Sequence, residues 1–137
     1  MSINAVRLNN RISAVSVPFT RGMYIIPTHV FIVEGPGGLL LIDTGGEGSG
    51  RIITEAAGSL GYSISDISTI ALSHWHRDHT GGLAELIALL PEDRCVQVYM
   101  GREDITIFQA QAWKILKFHP GLKIPFPHRP GLMPDGT

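Results

Sequence analysis

The densest chemistry in the chain lies in the run Ser73-His74-Trp75-His76-Arg77-Asp78-His79-Thr80-Gly81-Gly82. Four groups able to ligate a metal, His74, His76, Asp78 and His79, fall within six residues. Neutral imidazole and carboxylate together suit zinc, iron or manganese. Such groups cannot be packed into a core without partners, because burying them unpaired is costly. His74 and His76 alternate with Trp75, so an extended backbone points both imidazoles the same way. Asp78 and His79 are adjacent and share that direction only if the chain turns. A turn there faces them toward a second point nearby, and two metals side by side, ~3.5–4 Å apart, are the natural outcome. Gly81-Gly82 lets the backbone bend closely around the site. His29, His119 and His128 stand alone in the sequence and are read as packed or surface residues, since isolated residues are weak signals.

The elements that must hold this run are readable around it. Val15–Val17, Val30–Val33 and Leu39–Ile42 are short, branched or apolar, and bounded by turn formers, which predicts strands. Glu34-Gly35-Pro36-Gly37-Gly38 predicts a tight turn between the second and third, making an antiparallel hairpin. Leu39–Ile42 has no polar alternation, which predicts a strand covered on both faces. Gly45–Gly50 reads as a flexible loop. It matches neither G-x-x-x-x-G-K-S/T nor G-x-G-x-x-G, and Asp43 and Glu47 would repel a phosphate. Ile52, Ile53, Ala56, Ala57 and Leu60 recur at helical spacing, and Gly61 marks the stop. Thr69–Leu72 predicts the strand that leads into the histidine run. This is the carboxyl edge of a sheet, where α/β proteins place their sites.

Leu83, Leu86, Ile87 and Leu90 predict a helix closed by Pro91. Val96–Tyr99 predicts another strand, and Ile105, Phe108, Ala112, Ile115 and Leu116 a third helix. The fold class is α/β, helices packed on a largely buried sheet. Residues 118–137 hold five of the nine prolines and no regular element. The expected division is a domain over 1–117 and a Pro/Gly-rich tail, or severed connection, over 118–137. Met23–Ile26 reads equally as a plain strand or as a mobile loop over a substrate. Trp75 is read as packing under the histidine loop. Arg77 is left between an anionic substrate group and solvent.

Composition bounds the function. The 137 residues suit one domain, with 44% hydrophobic and 17% charged residues as in soluble globular proteins. The net charge of -1 lacks the basic excess of a nucleic-acid binder. The single cysteine, Cys95, cannot form an internal disulfide and reads as a core residue. With no secretory pattern in Met1–Ser13 and no apolar run of the ~20 residues a bilayer needs, a soluble, cytoplasmic protein is expected.

His74-x-His76-x-Asp78-His79-x-Gly81-Gly82 resembles the signature of the metallo-β-lactamase superfamily. Leu41-Ile42-Asp43-Thr44-Gly45 is similar to that family's other hallmark, an apolar strand ending in Asp-Thr-Gly. The resemblance covers roughly Thr28 to Tyr99. It implies the N-terminal half of an αββα sandwich, a mixed sheet flanked by helices. It implies that His74 and His76 bind a first metal and that Asp78 and His79 bind a second. Zinc is the expected ion, with iron or manganese as alternatives. Asp43 would lie beside the ligands and orient them. Asp78 would also orient a metal-bound hydroxide as a catalytic residue. The implied activity is hydrolysis of a small-molecule ester, thioester, lactone, amide or phosphoester.

The family's full site draws a further histidine, an aspartate and a final histidine from a second half that this chain is too short to hold. His119-Pro120-Gly121, His128 and Asp135 are weak substitutes. The chain is thus expected to be a fragment of a longer enzyme, a natural half, or a non-catalytic metal-binding or subunit-interaction module. A half would expose an apolar sheet face, which predicts a homodimer or a partner supplying the missing half.

Overall fold

Alternating burial along successive strands builds a sheet with one fully buried face. The computed structural model describes residues 5–91, 96–101 and 104. The strands are β1 (Ala5–Arg7), β2 (Ile12–Arg21), β3 (Tyr24–Gly35), β4 (Gly38–Ile42), β5 (Ile67–Leu72) and β6 (Gln97–Met100). They lie side by side in chain order. The pairings from β1 to β4 are antiparallel, and β4–β5 and β5–β6 are parallel. The chain changes from hairpins to crossovers after β4, because α1 (Ser49–Ser59) intervenes before β5. Parallel neighbours need such a crossover. The short helices α2 (Arg77–Thr80) and α3 (Leu83–Leu89) then lead to β6.

Register shows which side chains share a face. Val15 faces Val30, Ile32 faces Leu41, Leu41 faces Ile70 and Ile70 faces Val98. All of these are at most 1% exposed, and they form one core with Ile53, Ala56 and Ala57 of α1 and Leu83 and Leu86 of α3. The opposite row runs Ala14, Phe31, Ile42, Ala71 and Tyr99, each half-buried. Leu39–Ile42 is therefore sealed on one face and only half-buried on the other, where the sequence predicted cover on both. Its side chains are all aliphatic, so they alternate in position without alternating in polarity.

The β2–β3 ribbon is far longer than Val15–Val17 and Val30–Val33 suggest. It runs to a tip at Gly22, where φ is 61°. Pro18 and Pro27 face each other in it, beyond the paired reach of β1 and β4. An open-edged position of this kind tolerates a missing N–H. At the tip Met23 is 97% exposed and Tyr24 76%.

α1 begins without a cap of its own, since Gly48 is left-handed and has no side chain to offer. Glu85 of α3 supplies the cap from across the helix pair. Its carboxylate accepts the Gly48 N–H at 3.1 Å and the Arg51 N–H at 3.0 Å. Glu85→Ala is expected to lower stability by about 1 kcal/mol, the ordinary worth of an N-cap, as read by urea denaturation. A midpoint unchanged from the parent would contradict the cap. Gly61, with φ 89°, ends the same helix as its sequence position predicts. Among the described residues, no helix is long and apolar enough to cross a membrane. The helix predicted over Ile105–Leu116, Cys95 and the tail from 118 to 137 lie outside the described residues.

Candidate metal centre

Asp43 is the residue on which the site is assembled. It directly follows β4 with φ 66°, a left-handed conformation that Asp tolerates better than most side chains. Its N–H donates to the Ala71 carbonyl at 2.8 Å, so it is still tied to β5 as the chain turns away. The side chain is 7% exposed. Its carboxylate receives three hydrogen bonds. The Ser73 N–H donates to Oδ1 at 2.7 Å, and the Ser73 hydroxyl donates to Oδ2 at 2.8 Å. His79 Nδ1 lies 2.9 Å from the same Oδ2. β4 and β5 are parallel neighbours, so their carboxyl ends meet and bring Asp43 to Ser73.

The two glycine-containing loops are fastened through backbone groups. Thr44 donates to the His79 carbonyl from both its N–H, at 2.8 Å, and its hydroxyl, at 2.9 Å. The Gly82 N–H donates to the Gly45 carbonyl at 3.1 Å. A Cβ at Gly82 would overlap the Thr44 carbonyl, and one at Gly81 would crowd the Arg77 carbonyl. This close approach is what Gly81-Gly82 permits.

The four sequence-predicted ligands arrive from different backbone states. His74 and Trp75 follow β5, and His76 is still extended at φ -58° and ψ 147°. The chain then makes the single helical turn α2, which swings Asp78 and His79 back toward His74. One ligand atom each from His74, Asp78 and His79 lies within 4.8 Å of the others. His79 Nε2 is 3.3 Å from Asp78 Oδ2. The His74 ring stands between its neighbours, 4.1 Å from the His79 ring and 4.7 Å from the His76 ring by centroids. His76 is exposed and tilted against Trp75, outside the compact trio. His29 is exposed on β3, and His119, His128 and Asp135 lie outside the described residues.

The donor set fits a divalent cation. A neutral imidazole has one N–H. His79 spends it on Asp43, which leaves the Nε2 lone pair facing the Asp78 carboxylate. Two acceptors at that separation repel unless a proton or a cation lies between them. Histidine nitrogens and a carboxylate oxygen are ligands of zinc, iron and manganese. Asp43 holds His79 from behind, as carboxylates commonly hold metal-binding histidines.

An open cleft reaches His74 and Asp78 of the trio. Phe19, Ile26 and Trp75 give it an apolar side, and His74, His76 and Asp78 a polar one. Arg77 reaches across to Glu47 at 2.7 Å, both side chains well exposed, so its sequence position between ligands makes an ion pair at the rim. Trp75 both lines the cleft and packs against the core. Ser73 is the site residue that the sequence reading missed. Its signal was a hydroxyl directly between a predicted strand and the first histidine.

Comparison with known proteins identifies the class. The model of the metallo-beta-lactamase superfamily matches residues 24–132, and the chain belongs to that superfamily. It is similar to Beta-lactamase-like protein 2 homolog of Drosophila melanogaster, 31% identical over 94 residues, covering 68% of this chain and 32% of that protein. It is similar to an atrochrysone carboxyl ACP thioesterase of Passalora fulva, 31% identical over 113 residues, covering 79% of this chain and 32% of that one. Among solved structures, BJP-1, a subclass B3 metallo-beta-lactamase of Bradyrhizobium japonicum, superposes with a TM-score of 0.60 at 26% identity. That match covers 76% of this chain and 35% of that one. A metallo-beta-lactamase of Cronobacter sakazakii with the HARLDQ motif gives 0.65 at 24% identity, covering 94% and 46%. The match spans about a third of the length of these two curated relatives. The six-stranded mixed sheet with its helices is thus a partial sandwich of this superfamily.

Proposed function

We propose that the chain carries the metal-binding half of a metal-dependent hydrolase acting on an acyl ester or thioester. The observation that carries this reading is the convergence of His74, Asp78 and His79, with Asp43 fixing His79 from behind. His74, His76, Asp78 and His79 are the proposed ligands and zinc the proposed ion, with iron or manganese compatible with the same donors. A bound divalent ion lowers the pKa of water toward neutrality and polarises a carbonyl oxygen.

The chain's own residues supply the rest. Asp78 faces the cleft, where its carboxylate orients an attacking water and accepts its proton. The apolar wall of Phe19, Ile26 and Trp75 receives the acyl group and excludes water from it. Two relatives support the thioester class by name, the Passalora fulva protein and Thioesterase pkgB of Emericella nidulans. Lactones and phosphoesters are the next classes to try, since they share the polarised oxygen. A single cysteine, which cannot form an internal disulfide, supports a reducing compartment such as the cytoplasm.

Hydrolysis of medium-chain acyl thioesters tests this directly. Activity is expected to vanish after chelation and dialysis and to return with added zinc. Turnover unaffected by metal removal would rule the reading out.

A second reading, a metal-binding or subunit-interaction module without turnover, is favoured by the half-buried row Ala14, Phe31, Ile42, Ala71 and Tyr99. Under either reading this face is one to be covered, by a second copy or by the missing half of a longer chain, because sheet faces of this kind pack on one another. Light scattering at micromolar concentration is expected to give a dimer mass. A monomer at all concentrations would remove the pairing.

A further inference from the structure

We propose that Ser73 fixes the tautomer of His74, holding its proton on Nδ1 and leaving Nε2 bare. Its consequence for metal binding rests on the reading of His74 as a ligand given above.

Proton counting across three residues carries the assignment. Ser73 follows the last residue of β5, and its backbone N–H already binds Asp43 Oδ1 at 2.7 Å. That contact pins the residue so that its hydroxyl also reaches Asp43, at Oδ2 and 2.8 Å. An ionised carboxylate only accepts hydrogen bonds, and a serine hydroxyl has a single proton. That proton is therefore spent on Asp43. Ser73 Oγ also lies 2.9 Å from His74 Nδ1. With the hydroxyl proton committed, the hydrogen of this second bond must come from the ring. His74 Nδ1–H donates to Ser73 Oγ, and the ring's other nitrogen keeps its lone pair.

The outcome matches the one Asp43 imposes directly on His79, whose Nδ1 lies 2.9 Å from the same Oδ2. One buried carboxylate thus sets two imidazoles, His79 by contact and His74 through one intervening hydroxyl. Both rings then present Nε2 while Nδ1 is held from behind. The hydrogen bond made by one ring nitrogen decides what the other can do. Ser73 is a positioning residue in this scheme. It touches neither metal nor substrate, and being exposed it contributes little packing.

The test is long-range proton–nitrogen NMR of the histidine rings in the metal-free full chain. It is run near pH 8.5, where histidines ordinarily carry no charge. The parent protein is expected to show Nδ1–H at both His74 and His79. Ser73→Ala is expected to shift His74 toward the Nε2–H form while His79 stays unchanged, which also reports that the fold is intact. Ser73→Thr, which keeps the hydroxyl, restores the parent pattern. Zinc affinity by chelator competition is expected to fall about 10-fold in Ser73→Ala, the lower end for residues that support a ligand, and to recover in Ser73→Thr. Nε2–H at His74 in the parent, or Nδ1–H persisting in Ser73→Ala, overturns the proposal. Nδ1–H at His74 in a parent protein that binds no zinc supports the tautomer assignment and removes the ligand reading instead.

Discussion

Asp43→Ala is expected to weaken zinc binding by about 100-fold, the upper end of the range for residues that support metal ligands. Asp43 is almost fully buried and receives three hydrogen bonds, from two groups of Ser73 and from His79. Its removal frees His79 to rotate and leaves Ser73 without its anchor. Unpartnered donors cost about 1–3 kcal/mol where water cannot reach them. The substitution also places alanine at φ 66°, which costs a further ~1 kcal/mol. Two companions separate these causes. Asp43→Gly relieves the backbone and still loses the carboxylate, so it recovers part of the stability and none of the affinity. Asp43→Asn tolerates the conformation and keeps one acceptor oxygen, so it falls between the parent and alanine in affinity. Isothermal zinc titration and urea denaturation read the two quantities independently. Parent-like affinity in Asp43→Asn and Asp43→Gly together would show that the carboxylate does not organise the site.

His76→Ala is expected to abolish hydrolysis while leaving the fold intact. His76 is exposed and precedes the helical turn α2. Exposed substitutions of this kind change stability by about 0.5 kcal/mol or less. The compact trio of His74, Asp78 and His79 does not include it, so a variant that still holds one metal and has lost turnover is the expected phenotype. Metal stoichiometry and thioester hydrolysis measured on the same preparation separate the two effects. Hydrolysis at the parent rate in His76→Ala would mean that the activity arises elsewhere.

The His74–His79 run and the Asp-Thr-Gly turn stood out in the sequence as a candidate site because residue type and spacing carry that pattern. The glycines were legible for the same reason: Gly82 lies against the Thr44 carbonyl, and nothing larger fits there. The sheet was legible in outline. Leu39–Ile42 and Thr69–Leu72 carry the apolar signal of central strands, and Gly61 ends its helix as predicted. The length of the β2–β3 ribbon was not, because proline ordinarily interrupts a strand, and Pro18 and Pro27 are accommodated only where each strand has an open outer edge.

The trio was only partly legible. Alternation across Trp75 pointed His74 toward His76, but the turn α2 brings Asp78 and His79 to His74 as well. Four residues are too few for helical periodicity to show in sequence. The part of Ser73, beyond its hydroxyl beside the first histidine, was hidden for a different reason. It depends on β4 and β5 ending side by side, a tertiary fact that no local pattern encodes. Glu85 capping α1 from another helix is hidden in the same way.

The most direct measurement is metal content per chain, by elemental analysis of protein purified without added metal or an affinity tag. About two divalent ions per chain are expected, as in a two-metal hydrolytic centre, with the remaining ligands supplied by a second copy or a longer parent chain. One ion or fewer per chain would contradict the catalytic reading and leave a half-site whose resemblance to hydrolases is one of ancestry.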